Sequence, residues 1–412
     1  MTAADPVNLT HMKILVADKF EKSGIEGLKA LGVEVIHEPN LEGESLAKTI
    51  TETAADVLVV RSTKVTAPMI EGGRLSLIIR AGAGYNTIDV DAASRVGVYV
   101  SNCPGKNSQA VAELACGLMI ACDRHIPDNV IELRKGKWNK KGFSKAKGLY
   151  GRTLGIIGMG RIGQELIKRA KAFGMHVVVH SRWITPDIAA EIGVSQATNI
   201  SDLAKQSDFV SVHVSLTPDT KGMLDRSFFE AMQPGSTFIN TSRAEVIDQR
   251  ALEKALEEKD MMAGLDVFEG EPSGGEGEYV GSLKDNSRVY CTHHIGASTD
   301  QSQEAVAAET VRIVREYKHT GSVPNVVNVK RAEIATHLIV VRHADKVGVL
   351  AHVFDVLKNE GVNVQEMENI VLGGAKAAIA QISTDKEPTP SALANIKKNS
   401  DIFDVSAISL GS

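Results

Sequence analysis

Cysteine is scarce in this chain of 412 residues, which contains only four. No two of them have the Cys-x-x-Cys spacing that redox and zinc motifs use. A disulfide-stapled extracellular scaffold is therefore not expected, and the four residues are typical of buried thiols in a reducing compartment. They are Cys103, Cys116, Cys122 and Cys291.

The signals of membranes, secretion and nucleic acids are also missing. No apolar run approaches the ~18 residues of a transmembrane helix, and residues 1–11 lack the basic region and apolar core of a secretory signal. A formal net charge of −5 gives no indication of a nucleic-acid partner. We therefore expect a cytoplasmic protein with neither a membrane nor a nucleic-acid partner, and no metal site is predicted.

What the chain does contain is a regular alternation of strand-like and helix-like segments. One series of apolar strands covers residues 12–102, and a second runs from Arg152 to His294. Apolar strands that alternate with helices imply parallel sheets covered on both faces. We predict an α/β fold with two doubly wound, Rossmann-like domains and a cleft between them. After a linker-like segment, Ser322–Asn328, residues 337–410 change to the ferredoxin-like order βαββαβ.

A glycine-rich motif follows the first strand of the second series. It lies between the apolar strand Thr153–Ile157 and a helical pattern over Arg161–Phe173, the context that a dinucleotide-binding loop requires. Glycines let the backbone turn tightly and approach a pyrophosphate, and the helix N-terminus offers free N–H groups and partial positive charge. The predicted cofactor contacts here are Gly158, Gly160, Arg161, Ile162 and Gly163.

The next strand ends without the carboxylate that binds the adenosine ribose of NAD. Ser181 and Arg182 occupy that place. A carboxylate would repel a ribose 2′-phosphate, whereas a guanidinium is suited to binding one. The cofactor is therefore predicted to be NAD or NADP, with a slight preference for NADP. Alternatively, Arg182 stacks on adenine or faces solvent while NAD binds.

Three charged residues at strand ends form a catalytic candidate: Arg243, Glu271 and His294. Oxidation of a secondary alcohol beside a carboxylate needs a base for the hydroxyl proton and a cation for the carboxylate. His294 can be the base, Glu271 can orient it and stabilise its protonated form, and Arg243 can bind the carboxylate. From these residues alone, His293 competes with His294 for the base role.

Seven segments of the chain match, in combination, the motifs of one enzyme family. They are VVRSTKVT (Val59–Thr66), RAGAGYNTIDVDAA (Arg80–Ala93), NCPGKNSQAVAEL (Asn102–Leu114), GRTLGIIGMGRIG, HVSLTPDTKGM, DVFEGEP and HHIGAST. Through them the chain, from Met12 to Leu410, resembles the D-isomer-specific 2-hydroxy acid dehydrogenase family. The resemblance assigns catalysis to Arg243, Glu271 and His294, since the family usually has proline where His293 stands. It also implies cofactor contacts from His213, Thr217 and Asp266, the last with the nicotinamide carboxamide.

The resemblance further implies a substrate-binding domain that is split in the sequence. Residues 1–107 form its first part, and residues 300–330 form its returning segment and a linker. Residues 108–299 form the NAD(P)-binding Rossmann domain, and residues 331–412 form a C-terminal ACT regulatory domain.

Within the family, the chain is most similar to enzymes that oxidise 3-phosphoglycerate to 3-phosphohydroxypyruvate, the first step of L-serine biosynthesis. This similarity implies that the backbone at Ala83 and Gly84 holds the substrate carboxylate and that Asn102 closes one side. Arg61 and Lys106 are expected to bind the phosphate, although Arg61 could instead form an ion pair at the sheet edge.

Two departures from the family pattern keep other functions open. Ala244-Glu245 stand where glycine usually follows the catalytic arginine, and Ser181-Arg182 replace the ribose-binding acid. One alternative is an NADPH-dependent glyoxylate or hydroxypyruvate reductase, which the Ser-Arg pair favours. The other is a non-catalytic NAD(H)-sensing binding protein, which the three catalytic candidates do not exclude.

The segment RHADKVGVLAHVFDVLKNEGVNV (Arg342–Val364) carries a resemblance to ACT domains, which sense amino acids. The resemblance implies an L-serine effector bound between two subunits, and hence a homodimer or homotetramer. The implied allosteric residues are His343, Asp345 and Asn363. Alternatively, the module only mediates oligomerisation.

Overall fold

The computed structural model describes residues 11–272, 276–329 and 335–410. The chain packs into two compact units, residues 1–328 and 329–412. The first unit contains two parallel sheets and the second contains one antiparallel sheet.

The first sheet has five parallel strands in the order β2-β1-β3-β4-β5. Four short helices connect them, and the runs of valine, leucine and isoleucine in β3 and β4 are buried, as expected for a sheet covered on both faces. The elements are β1 (Lys13–Val16), α1 (Lys22–Ala30), β2 (Glu34–His37), α2 (Gly43–Thr53), β3 (Val57–Val60), α3 (Ala67–Glu71), β4 (Leu77–Arg80), α4 (Val90–Arg95) and β5 (Tyr99–Asn102).

Two helices, α5 (Ser108–Arg124) and α6 (Ile126–Arg134), lead from the first sheet to the second. The second sheet has seven parallel strands in the order β12-β11-β10-β9-β6-β7-β8. Its elements are β6 (Thr153–Ile157), α7 (Arg161–Ala172), β7 (His176–His180), α8 (Pro186–Ile192), β8 (Ser195–Gln196), α9 (Ile200–Gln206), β9 (Phe209–Val212), α10 (Arg226–Ala231), β10 (Thr237–Asn240), α11 (Gln249–Glu258), β11 (Met262–Leu265) and β12 (Val289–Cys291).

The strand order places a topological switch point between β6 and β9. The chain leaves β6 toward β7 on one side and returns to β9 on the other. In open α/β sheets ligands bind outside the carboxyl ends of the strands at such a point. The glycine motif after β6 lies at this edge.

The long helix α12 (Asp300–Thr320) returns from the second sheet to the first. Its residues Val311, Val314 and Tyr317 join the buried cluster that includes Ile14 and Val59 of β1 and β3. The segment beyond it, predicted to be a linker, is hydrogen-bonded along the edge of β5. Backbone pairing of residues 326 and 327 with residues 101 and 100 holds it there.

The second unit follows the order βαββαβ. Its four antiparallel strands lie in the order β14-β15-β13-β16, and its core is formed by apolar residues such as Val341, Val353, Ile382 and Ile396. The elements are β13 (His337–Ala344), α13 (Val349–Asn359), β14 (Val364–Val371), β15 (Ala377–Thr384), α14 (Pro390–Lys397) and β16 (Ile402–Ser409).

Among the helices of the described ranges, none combines the length and the apolar character needed to cross a membrane.

Candidate functional site

The glycine motif forms a tight turn between β6 and α7. A Cβ atom on Gly158 would approach the His213 carbonyl oxygen to 2.6 Å, and one on Gly163 would overlap the Gly158 carbonyl oxygen. Gly160, at the N-cap of α7, faces open space. The outer two glycines therefore let the turn pack closely, and Gly160 leaves room beside the helix N-terminus for a phosphate. Ile162 lies in the first turn of α7.

Two buried polar atoms at the same edge lack hydrogen-bond partners among the described residues. They are His213 Nδ1, just after β9, and Thr241 Oγ1, just after β10. The His213 Nε2 atom contacts Ser211 Oγ at 2.8 Å, and burial lowers the pKa of His213 to about 4. Because unpartnered buried polar groups cost about 1–3 kcal/mol each, their presence fits a ligand with hydrogen-bonding groups, such as a nicotinamide cofactor. Sequence analysis did not single out Thr241, whose only signal was its place at a strand end.

Ser181 and Arg182 lie in the turn after β7. The Ser181 hydroxyl accepts a hydrogen bond of 3.3 Å from the Trp183 N–H. The Arg182 guanidinium is exposed and lies 5.9 Å from the centre of the Trp183 ring. Thr217 lies in the exposed loop after β9, where its hydroxyl contacts Thr220 Oγ1 at 3.1 Å.

Arg161 connects the glycine motif to the first sheet. Its Nη1 donates a 3.2 Å hydrogen bond to the Pro104 carbonyl oxygen, and its side chain packs against Gly105. The residues after β5 and the cofactor loop therefore face each other across the cleft.

Three adjacent strands bring the catalytic candidates to one edge. Arg243 follows β10, Glu271 lies beyond β11, and His294 lies beyond β12. His294 Nδ1 contacts Glu271 Oε2 at 2.7 Å, and the other oxygen, Oε1, accepts a 2.9 Å hydrogen bond from the Phe268 N–H. With Nδ1 engaged, Nε2 is the ring nitrogen left to face a substrate. No hydrogen bond or ion pair within the described ranges involves the His293 ring.

The electrostatics of Glu271 suit this pairing. Partial burial opposes its ionisation, but the hydrogen bonds from His294 and from the Phe268 N–H outweigh burial and lower its pKa. Glu271 is therefore a carboxylate at neutral pH, in contact with the imidazole.

Asp266 fixes the backbone that carries His294. Its buried carboxylate accepts hydrogen bonds from Thr292 Oγ1 at 2.6 Å and from the N–H groups of Ile295 and Gly296 at 2.8 Å. His294 itself has a φ of 52°, a left-handed conformation that a side chain rarely adopts. The Asp266 carboxylate uses most of its capacity to accept hydrogen bonds on this turn. Its contact with the nicotinamide carboxamide therefore stays a prediction.

Arg243 reaches from the second sheet to the glycine loop of the first. Its Nη1 donates a 2.6 Å hydrogen bond to the Ser242 carbonyl oxygen, and its Nη2 lies where a Cβ atom of residue 84 would stand. Only glycine at position 84 lets the guanidinium approach so closely. Burial lowers the pKa of Arg243, and Glu245 and Glu271 oppose that effect.

A second guanidinium, that of Arg80, packs against this loop, and that of Arg61 lies near Arg80. Arg80 lies at the end of β4 with its guanidinium against Gly82, and its Nε has no partner among the described residues. Burial, reinforced by the nearby charges of Arg243 and Arg61, lowers the pKa of Arg80 to about 10. Arg61 Nη1 donates a 2.9 Å hydrogen bond to Gln303 Oε1. Sequence analysis missed Arg80 although it begins the segment Arg80–Ala93, because an arginine at a strand end does not reveal which charges surround it.

Lys106, predicted to bind a phosphate, forms an ion pair with a carboxylate of α12. Its Nζ lies 3.2 Å from Oε2 of Glu309, a buried residue of α12. Arg312 and Asn325 also donate to Glu309, and these hydrogen bonds, against the effect of burial, lower the pKa of Glu309 to about 2. Lys106 thus shares one carboxylate with Arg312.

Asn102 lies at the end of β5 and braces the glycine loop. Its Nδ2 donates a 2.6 Å hydrogen bond to the Ala83 carbonyl oxygen. The N–H groups of Ala83 and Gly84 therefore belong to a loop that Asn102, Arg80 and Arg243 hold from several sides.

The three candidates for an effector site do not meet within one chain. His343 is buried, with Nδ1 at 2.8 Å from the Ala344 carbonyl oxygen and Nε2 at 3.1 Å from Asn369 Oδ1. Asp345 follows β13, where its N–H bonds to Lys376. Asn363 precedes β14 at the other end of the sheet, roughly 20 Å away along an eight-residue strand.

Comparisons with known proteins identify relatives of this chain. The model of the "D-isomer specific 2-hydroxyacid dehydrogenase, NAD binding domain" family matches residues 116–296. A hydroxypyruvate reductase of Thermotoga maritima is 42% identical over 306 residues, which are 74% of this chain and 97% of that protein. A D-3-phosphoglycerate dehydrogenase of Methanocaldococcus jannaschii is 40% identical over 334 residues, 78% of this chain but only 61% of the relative's length.

A solved structure shares the fold as well. The NAD+-bound 3-phosphoglycerate dehydrogenase of Entamoeba histolytica superposes with a TM-score of 0.65 and 28% identity, covering 78% of this chain and all of that one. The catalytic candidates, the cofactor loop and these similarities lead to one assignment. This chain belongs to the D-isomer specific 2-hydroxyacid dehydrogenase family.

Proposed function

We propose that this chain interconverts D-3-phosphoglycerate and 3-phosphohydroxypyruvate with NAD or NADP, the first step of L-serine biosynthesis. The observation that carries the proposal is the cluster of three arginines in which Arg80 and Arg243 pack against the loop Gly82–Gly84 and Arg61 lies near Arg80. A substrate with a carboxylate and a phosphate needs more cationic partners than a simple 2-hydroxy acid does. The similarity to the dehydrogenase of M. jannaschii supports the same substrate.

The chemistry follows from the positions of the charged groups. Arg243 and the N–H groups of Ala83 and Gly84 hold the substrate carboxylate, and Arg61 and Arg80 hold the phosphate. His294 Nε2 takes the hydroxyl proton during oxidation, and ionised Glu271 stabilises the imidazolium that forms. Arg243 also stabilises the negative charge that develops on the substrate oxygen. The nicotinamide, when bound, accepts the hydride.

The cofactor is held by the second sheet. Its pyrophosphate fits the space at Gly160, where the N-terminus of α7 and Arg161 supply N–H groups and positive charge. His213 and Thr241 offer their unpartnered atoms to the nicotinamide end. Ser181 and Arg182 leave the ribose pocket without a carboxylate, which favours NADP slightly.

We expect Arg182→Ala to lower kcat/KM with NADPH by about 10-fold while changing the value with NADH much less, because only NADP carries the 2′-phosphate. The measurement is the ratio of kcat/KM for the two cofactors. Arg226→Ala is the matched control, since Arg226 is an exposed arginine at the start of α10 that pairs with Glu230. An unchanged ratio in Arg182→Ala would mean that Arg182 stacks on adenine or faces solvent.

The substrate assignment is tested by following the oxidation of NADH and NADPH with 3-phosphohydroxypyruvate and with hydroxypyruvate. We expect a strong preference for the phosphorylated compound, and we expect Arg80→Gln to reduce that preference by about 10-fold or more. Equal or better activity on hydroxypyruvate would favour a reductase, the function named for the T. maritima relative. Tight NADH binding without turnover of either compound would favour the binding-protein alternative.

We also propose that the C-terminal unit is an ACT-type module that acts in a homodimer or homotetramer. Because Asn363 lies far from Asp345, both can contact one L-serine only if the second residue comes from another copy. The edge strand β14 is largely exposed and can pair with a second chain. His343 is buried, so we expect it to support such a site from the interior of the chain.

Helix α6 supports oligomerisation independently. It has no buried residue in the described structure and exposes Ile126, Val130, Ile131 and Leu133.

We expect light scattering to give the mass of a dimer or tetramer. We also expect serine to raise the melting temperature of the wild type but not of Asn363→Ala. If the protein is an oligomer but serine changes neither its melting temperature nor its activity, the module has a role in assembly only.

A further inference from the structure

The first sheet has a switch point of its own. In the order β2-β1-β3-β4-β5, the chain reverses direction between β1 and β3. The crevice outside the carboxyl ends of two such strands is where open α/β sheets bind ligands. Here Asp18 lies two residues after the end of β1, and the residues directly after β3 are Arg61, Ser62 and Thr63.

The Asp18 carboxylate fills that crevice. Its Oδ2 accepts hydrogen bonds from three successive backbone N–H groups, Arg61 at 2.6 Å and Ser62 and Thr63 at 3.2 Å. Its Oδ1 accepts a 3.2 Å hydrogen bond from the Ser62 hydroxyl. Successive N–H groups of this kind form a concave site for an anion, and a side chain of the protein occupies it here.

The anchored turn carries Arg61 into the cationic cluster. With its N–H held by Asp18, the Arg61 side chain reaches α12, where Nη1 bonds to Gln303. Asp18 also lies close enough to Arg80 for its negative charge to raise the pKa of that guanidinium, against the effect of burial. Asp18 therefore supplies a negative charge near the guanidiniums of both Arg61 and Arg80.

We propose that Asp18 is a positioning residue that fixes Arg61 for the non-reacting phosphate of the substrate and thereby sets selectivity for phosphorylated over unphosphorylated substrates. This inference rests on the proposed function. Asp18 touches no reacting atom, and its effect passes through Arg61. A fixed guanidinium loses less conformational entropy on binding than a mobile one, which raises affinity for the group it binds.

The experiment is a double-mutant cycle with Asp18→Asn and Arg61→Gln, with KM and kcat measured separately for 3-phosphohydroxypyruvate and hydroxypyruvate. We expect Asp18→Asn to raise KM for the phosphorylated substrate about 10-fold more than for hydroxypyruvate, with the smaller effect on kcat. In the Arg61→Gln background, Asp18→Asn should add little, because the residue through which it acts is gone.

Asp56→Asn is the matched control. Asp56 is a buried carboxylate at the opposite end of the same sheet, where it accepts the Lys13 N–H at 2.8 Å and pairs with Arg74 at 3.1 Å. Asp56→Asn should lower the melting temperature of the protein without changing its selectivity between the two substrates. If Asp18→Asn does not melt cooperatively, Asp18→Glu replaces it, since that variant keeps the charge and alters the geometry.

The outcomes separate the two levels of the proposal. One outcome overturns the role of Asp18 alone. In it, the wild type prefers the phosphorylated substrate, and this preference is lost in Arg61→Gln but kept in Asp18→Asn and Asp18→Glu. A lower KM for the phosphorylated substrate in Asp18→Asn also overturns it, because Asp18 would then act by repelling the phosphate. A wild type without the preference overturns the proposed function and this inference together.

Discussion

Replacing His294 with alanine should lower kcat by about 10²–10⁴-fold in both directions, the range that a general acid or base contributes. His294 is the imidazole that contacts a carboxylate, and its Nε2 is left for the substrate. Cofactor affinity should change little, because the predicted contacts with the pyrophosphate and ribose lie on β6, α7 and the turn after β7. The measurement pairs steady-state kcat with NADH binding followed by fluorescence.

His293→Ala is the matched control for this variant. His293 is an exposed neighbour for which the described structure shows no ion pair, and its loss should leave kcat within about 2-fold. If His294→Ala stays active and His293→Ala does not, the assignment of the base is wrong and His293 takes its place.

The pH dependence of turnover should follow from Glu271. Because its pKa is lowered, Glu271 stays ionised to a pH below its ordinary value of 4.5 and carries the negative charge that stabilises the imidazolium formed during oxidation. Glu271→Gln removes that charge, so kcat for oxidation should be reduced at neutral pH. The ratio of wild-type to variant kcat should shrink only as the pH falls through the lowered pKa of Glu271. The measurement is this ratio across the pH range, and a ratio that does not depend on pH would contradict the ionised carboxylate as the source of the effect.

Replacing Arg243 is expected to have the second large effect. Arg243→Gln should lower kcat/KM by about 10³-fold, because the guanidinium both binds the carboxylate and stabilises the developing charge. Arg243→Lys should recover little of this loss, since an ammonium cannot reproduce a bidentate guanidinium. In steady-state assays with either substrate, kcat should fall and KM should rise.

Gly84→Ala tests the same contact without removing a charge. Its methyl group would stand where Arg243 Nη2 lies, so the guanidinium must move. We expect a loss of activity that approaches that of Arg243→Gln, with unaltered NADH binding. Full activity in Gly84→Ala, or in Arg243→Lys, would show that the close approach of the guanidinium to the glycine loop does not matter for catalysis.

Local patterns predicted most of the elements that position this site. The alternation of apolar strands and helices predicted two parallel sheets, and the glycine motif in Gly158–Gly163 predicted the turn into α7, because strand, turn and helix interact over a few residues. The segment after α12 was different. Its proline and asparagines indicated a linker, but it pairs with β5, a contact between residues more than 200 positions apart.

The sequence predicted those parts of the candidate site that lie at the ends of strands. Parallel strands gather their carboxyl ends at one edge, so the order of the chain already indicated that Arg243, Glu271 and His294 meet. It did not indicate which cations stay free. The sequence indicated Lys106 as a phosphate ligand and did not indicate Arg80, yet Lys106 pairs with Glu309 of the returning helix, whereas Arg80 has no carboxylate partner among the described residues.

The sequence by itself therefore determined the family, the two parallel sheets, the glycine-rich turn into α7 and the candidate pair Glu271 and His294, because each is encoded in a short segment or in the order of segments. Only the tertiary structure decided how charges are matched across the cleft. It placed Arg80 beside Arg243, enclosed His343, separated Asn363 from Asp345, and put Asp18 into the crevice under Arg61. The physical reason is that a charged side chain takes its role from the groups around it, and those groups come from distant parts of the chain.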